Sequence, residues 1–272
     1  MAYEWSIPAV GLALDKQDKI AELWERLTSR LFKRQRCIVF TGISGIGKTD
    51  LWRHLTRTAP PRVDLNSPSA KPDKGTARGN SGRALLTTVP GQQAEARETS
   101  LNEIFDEKTG VDGIVHVVAN GFTTVRDPII REQLLVEHPE CDTIDGFRDH
   151  QRGLEIEDLK YICSRVRTAS LKHARPKWLC LAVTKCDLFS TQLEDVEDYY
   201  SLGSNHPIPS MLRELQCDVG RYRFRYFAAP VCASLESFSW QDTTIESRGV
   251  DESKRNAMVR DMLDRLLAET AG

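Results

Sequence analysis

Gly42-Ile43-Ser44-Gly45-Ile46-Gly47-Lys48-Thr49 follows directly on an apolar run, residues 36–42 (RCIVFTG), and leads into a stretch that reads as a helix from 48 to about 58. Pro60-Pro61 stops that helix, because proline lacks the N–H a helix interior needs. The octapeptide matches G-x-x-x-x-G-K-[ST]. Glycines let backbone N–H groups curl around phosphate oxygens, and the helix that follows adds the positive end of its dipole. In this pattern Lys48 reaches the β- and γ-phosphates and Thr49 offers its hydroxyl to Mg²⁺. At average residue usage a chain of this length matches by chance roughly one time in a hundred. The placement between a buried strand and a helix lowers that further.

Outward from this motif the chain alternates strand and helix. Residues 83–89 (RALLTTV), 113–119 (GIVHVVA), 177–184 (KWLCLAVT) and 222–232 read as strands, most of them continuous apolar runs. Helices are expected near 94–107, 127–137, 154–171, 209–216 and 252–268. Another, over 15–33, carries Ile20, Leu23, Trp24, Leu27 and Leu31 at helical spacing. Continuous apolar strands between helices indicate an α/β protein with a mostly parallel sheet covered on both faces. Ligands of such sheets bind at the carboxyl ends of the strands. His116 lies inside one strand and reads as a packed, hydrogen-bonded core histidine. Residues 59–83 hold four prolines and three glycines, and read as a flexible loop with a short edge strand at 63–65.

Thr184-Lys185-Cys186-Asp187 closes the strand at 177–184. A carboxylate here can accept two hydrogen bonds from guanine N1–H and N2–H₂, a donor pair adenine does not present. Adenine would leave Asp187 buried without partners, so discrimination is large. Alone, [NT]-K-x-D arises by chance in roughly one chain in ten; its place after a later strand makes it informative. Cys232-Ala233-Ser234 ends the next strand, where a backbone N–H can reach guanine O6.

With these segments in order, GISGIGKT, TVPGQ, TKCD and CAS, the chain resembles the Ras-like small GTPases and their wider translation-factor-related class from about 36 to 267. The resemblance implies a three-layer P-loop sandwich with a six-stranded sheet, here with an N-terminal helical extension (1–35) before the nucleotide domain (36–272). It also implies GTP/GDP and Mg²⁺ as ligands. Gly42, Ser44, Gly45, Ile46, Gly47, Lys48, Thr49 and Asp50 would hold phosphates and metal. Thr184, Lys185 and Asp187 would read the base, supported by Ala233 and Ser234.

One segment departs from the family. Its D-x-x-G motif is represented by Thr88-Val89-Pro90-Gly91, so Thr88 stands where a metal-side carboxylate is expected. Gly91 keeps the amide for the γ-phosphate, and Gln92 stands where many members orient the attacking water. Weak Mg²⁺ binding and slow or partner-dependent hydrolysis are the expected result. Ser67, Ser69 and Thr76 are equal candidates for the switch hydroxyl on Mg²⁺; Arg78, Arg83 and Arg97 are candidates for an internal arginine finger.

The 120–176 interval is longer than a minimal small GTPase needs and reads as an insertion between the fourth and fifth strands. With 59–98 it is the expected surface for a protein partner. Lys plus Arg is 37 and Asp plus Glu 39, a net charge of −2 that gives no reason to invoke nucleic acid or an anionic membrane. The seven cysteines are scattered without a C-x-x-C pair, which argues against a disulfide framework or a cysteine zinc site. No run approaches the ~18 apolar residues of a membrane span, and no lipidation signal is read, so a cytoplasmic protein is expected. A scaffold holding nucleotide without turnover is the second reading. A P-loop ATPase or nucleotide kinase is the third, and it needs an acidic strand end that neither Val89 nor Ala119 supplies.

Overall fold

The computed structural model describes residues 36–57, 72–91, 94–106, 110–192, 199–200, 204 and 206–270, all within one compact unit, Arg36–Gly272. The expected helix at 15–33 and edge strand at 63–65 lie outside the described residues, as do Ser67, Ser69 and Gln92.

Six strands form one sheet: β1 (Cys37–Thr41), β2 (Lys74–Gly79), β3 (Gly82–Thr88), β4 (Gly113–Val118), β5 (Trp178–Val183) and β6 (Arg225–Pro230). Their order is β2-β3-β1-β4-β5-β6, and only β2 runs antiparallel. Every residue of β4 and β5 is buried, as continuous apolar strands covered on both faces must be. The helices are α1 (Lys48–Thr56), α2 (Ala94–Asp106), α3 (Pro128–Glu137), α4 (Ile144–His173), α5 (Pro207–Val219) and α6 (Glu252–Glu269).

Handedness sets the layers. The chain leaves β1 through α1 toward the β3 side, then returns through α2 to β4 and onward to β5 and β6. Right-handed crossovers in opposite directions place their helices on opposite faces. Accordingly α1 packs with α6 over β2 and β3, while α4 packs between α2 and α5. The reversal of direction falls at β1, which makes its carboxyl end the topological switch point. No described helix is long and apolar enough to cross a membrane.

The flexible loop expected over 59–83 is corrected in its second half. Residues 74–79 and 82–88 form a hairpin with Lys74 opposite Thr87 and Gly79 opposite Gly82. Sequence patterning misses β2 because an edge strand buries little: of its residues only Ala77 is fully buried. Gly75 is there for space, since a Cβ would lie 2.8 Å from Trp52 Cζ2 on α1. Trp52 Nε1 donates to Leu86 O at 3.1 Å and fixes that contact.

The interval after β4 holds more order than expected. α4 begins at Ile144, ten residues before the anticipated start, with Thr143 Oγ1 accepting from Gly146 N at 3.1 Å as its cap. A 3₁₀ turn, Pro139–Asp142, joins it to α3. A hairpin the sequence did not reveal, β7 (Phe238–Trp240) and β8 (Thr243–Ile245), packs on this region. Trp240 stacks on Phe147 of α4 at 3.8 Å between centroids, and its Nε1 donates to Cys141 O at 2.6 Å. Cys141, Cys163, Cys180, Cys186, Cys217 and Cys232 are free thiols.

Candidate functional site

The loop after β1 turns through left-handed backbone at Gly42 (φ 130°), Gly45 (φ 79°) and Gly47 (φ 84°). A Cβ at Gly45 would lie 2.3 Å from Thr124 O, so both the dihedral and the space demand glycine. α1 then starts at Lys48 with Gly47 as its cap and no side-chain capping bond. Gly47 thus offers the first-turn N–H groups no capping side chain, which suits an anion at this end. Ser44 lies against Gly91, where a Cβ would come within 3.0 Å of Ser44 N. The turn after β3 and the glycine loop thus close on one another.

Lys48 is buried and its Nζ donates to Gly42 O at 2.8 Å. Burial, with the nearby Arg97 charge, pulls its pKa down to about 7, against an opposing pull from Asp158. Arg97 of α2 pairs with Asp158 of α4 beside it. His116 is the packed histidine the sequence suggested: buried, 3.0 Å from Thr41 Oγ1 through Nδ1, and held near pKa 4 by burial. Its Nε2 and Asp158 Oδ2 are buried without a hydrogen-bond partner.

The 184–187 segment is fastened to the glycine loop. Thr184 Oγ1 lies 2.6 Å from Ile46 O and 3.0 Å from Val118 O, so its single hydrogen goes to one of two carbonyls. Lys185, at φ 56°, sends Nζ to Gly45 O (3.1 Å), Phe122 O (2.6 Å) and Thr124 Oγ1 (2.9 Å). Burial lowers the Lys185 pKa to about 8. These bonds join positions some 140 residues apart and set Asp187 at a fixed offset from the loop. Asp187 is buried. Its Oδ1 accepts from Cys232 Sγ at 3.1 Å, and its Oδ2 has no partner. Hydrogen bonding with Cys186, then burial, pushes the Cys232 thiol far up, so it stays a donor. Ala233 is buried and Ser234 half-buried next to it.

No family model matches this chain. No curated protein matches it either.

Other anticipated residues fall out differently. Thr88, at the carboxyl end of β3 opposite Phe40, accepts from Asp73 N at its hydroxyl oxygen (3.2 Å), and its own N donates to Asp73 O at 2.9 Å. Thr49 stands half-buried in the first turn of α1. Asp50 turns to Arg53 at 3.5 Å along the helix surface, although its charge is still felt at Lys185. Arg78 and Arg83 pair across the far end of the β2–β3 hairpin, five residues of strand, or about 16 Å, from Thr88. Thr76 sits within β2 opposite Leu85 and not in a loop. Only Arg97 among the three arginines comes near Lys48.

Two groups escaped the sequence reading, Asp158 and Glu155, and Cys232 was read for its backbone alone, not for the thiol that meets Asp187. Glu155 is buried on α4 and accepts from Ala119 N (2.8 Å) and Gly121 N (3.3 Å), bridging α4 to the end of β4. Burial raises its pKa to about 7, against the two backbone bonds. Glu155 and Asp158 share the helical phase of Leu159, Ile162 and Val166, so a carboxylate on the buried stripe was the available signal.

Proposed function

We propose that this chain binds guanine nucleotides and acts as a GTP/GDP-dependent switch whose unaided hydrolysis is slow. The observation that carries the reading is the fastening of the 184–187 segment to the glycine loop, with a buried, unpartnered carboxylate oxygen on Asp187. One side of the site is shaped for an anion, and the other keeps an acceptor lacking a donor. Guanine offers two adjacent donors, and a buried acceptor gains most from finding one.

On this reading the α1 N-terminus and the loop amides hold phosphate oxygens. Lys48 exchanges Gly42 O for a β- or γ-phosphate oxygen, and Gly91 presents its amide to the γ-phosphate. Asp187 Oδ2 takes a base N–H. Thr49 would hold Mg²⁺, which supplies charge neutralisation at the phosphates when bound. Thr88 adds no negative charge there, and its hydroxyl is engaged with Asp73, which supports weak metal binding and slow turnover. The nucleotide state would be read by a protein partner across residues 59–98 and 120–176, where α3 exposes Ile129, Ile130 and Val136.

The same Thr88 geometry favours a second reading, a scaffold that keeps nucleotide without turning it over. Calorimetric titration with GDP and a non-hydrolysable GTP analogue, with and without Mg²⁺ and with ATP as control, tests the first claim. Micromolar or tighter guanine binding that Asp187→Ala abolishes is expected. No guanine binding in nucleotide-free protein would sink both readings. Binding with no turnover, even alongside partners, would select the scaffold.

A further inference from the structure

Away from the nucleotide site, the end of α3, the 3₁₀ turn and the start of α4 gather His138, Glu140 and His150 so that one ligand atom from each lies within 4.8 Å of the other two. We propose that these three side chains form a transition-metal site of the zinc class, in which two imidazole nitrogens and one carboxylate oxygen bind the ion. The proposal does not depend on nucleotide binding.

The backbone presents the three ligands together. His138 closes α3, where its N–H donates to Leu134 O at 2.9 Å, and its own carbonyl accepts from Cys141 N at 2.9 Å. Glu140 follows in the 3₁₀ turn, with Oε1 3.2 Å from His138 Nδ1. This turn presses on the start of α4. A Cβ at Gly146 would lie 1.9 Å from Glu140 O, so only glycine admits the contact. His150 stands four residues beyond Gly146, on the same helix face one turn along. Its ring therefore comes over the turn, and the two imidazoles sit 4.2 Å apart between centroids, tilted by 46°.

The frame beneath is held by a buried hydrogen bond and a ring stack. Cys141, next to Glu140, accepts from the Trp240 indole at 2.6 Å, and Phe147 of α4 stacks on that indole. Ligands on fixed elements lose little freedom when they bind an ion. Both histidines are half-buried and Glu140 is exposed, so solvent can deliver the ion.

The donor set decides the metal. Imidazole nitrogen suits Zn²⁺, Cu²⁺, Ni²⁺ and Co²⁺, whereas Mg²⁺ and Ca²⁺ take oxygen. Zinc bonds of about 2.0–2.1 Å in a tetrahedron put ligand atoms roughly 3.3 Å apart. The present spacing, within 4.8 Å, exceeds that value by at most about 1.5 Å. Three protein ligands leave a fourth position for water or for a side chain of another molecule. None of the seven cysteines takes part, so the scattered thiols carried no sign of this site.

The test is titration of the chelator-stripped full chain with Zn²⁺, and separately with Co²⁺ followed by absorption. One equivalent of Zn²⁺ at micromolar or tighter affinity is expected, with cobalt d–d bands and no thiolate charge-transfer band. His138→Ala and His150→Ala should each weaken binding by about tenfold or more, while Cys217→Ser leaves it unchanged. The thermal midpoint of the metal-free His variants should match the parent's, which separates lost ligation from lost folding. Absence of stoichiometric binding, indifference to both His substitutions, or a thiolate band would each overturn the proposal.

Discussion

Arg97 and Asp158 form an ion pair between α2 and α4, both largely buried, and the charges of both residues are felt at the Lys48 ammonium. The residue that meets phosphate in the proposed function thus sits beside a pair that ties the segment after Gly91 to the long helix. Removing one partner strands a charge away from water. Arg97→Ala or Asp158→Ala should lower unfolding free energy by about 2–4 kcal/mol. An Arg97→Met, Asp158→Leu double variant should recover most of that loss. Urea unfolding of the two single variants and the double variant checks this; additive losses would show that the two residues do not interact.

On the proposed function, Lys48 should make nucleotide binding depend on pH. Its pKa near 7 in the free chain rises once phosphate supplies negative charge beside it. Above pH 7 the free lysine is largely neutral while the bound one keeps its proton. Binding should therefore take up close to one proton at pH 8, and affinity should fall by up to about tenfold per pH unit there. Below pH 7 this contribution vanishes. Titration calorimetry in buffers of different ionisation enthalpy reads the proton count directly, and zero uptake at pH 8 contradicts the prediction.

Glu155 should set a stability gradient of its own. Its folded pKa, about 7, lies above the ordinary carboxylate value of 4.5. The folded state holds the proton more tightly, so the contribution is complete below pH 4.5 and is lost as pH rises through 7. The loss is on the order of 3 kcal/mol. Glu155→Gln keeps an acceptor for Ala119 and Gly121 but cannot ionise. The stability of parent minus variant should fall steadily from pH 4.5 to 7.5, then level off. Subtraction cancels Lys48 and His116, whose buried pKa values also respond in or near this range. A flat difference would refute the assignment.

Thr88→Asp tests the metal side of the proposed function. The new carboxylate would keep the Asp73 N–H as a donor and place negative charge at the end of β3. Without Mg²⁺ the variant should lose about 1–3 kcal/mol of stability, the cost of a buried charge with one partner. With nucleotide present, Mg²⁺ should raise GDP affinity more in the variant than in the parent. An unchanged Mg²⁺ dependence would show that Thr88 does not occupy a metal-side position.

Residue types and spacing alone determined the α/β class, the glycine loop between β1 and α1, and the TKCD segment at the end of β5. Each depends on a local rule: an apolar run, glycines where backbone must turn left-handed, or a carboxylate at a strand end. What only the folded chain decided are relationships between distant positions. Thr184 and Lys185 reach Ile46 and Gly45 because β1 and β5 both flank β4 in one parallel sheet. β2 exists because β3 offers it a ladder, not because its own side chains bury much. Asp158 and Glu155 lie on the buried stripe of α4, where a carboxylate gains meaning only from the Arg97 and β4-end groups across from it. His138, Glu140 and His150 meet because a glycine lets two segments touch, a contact that sequence spacing does not encode.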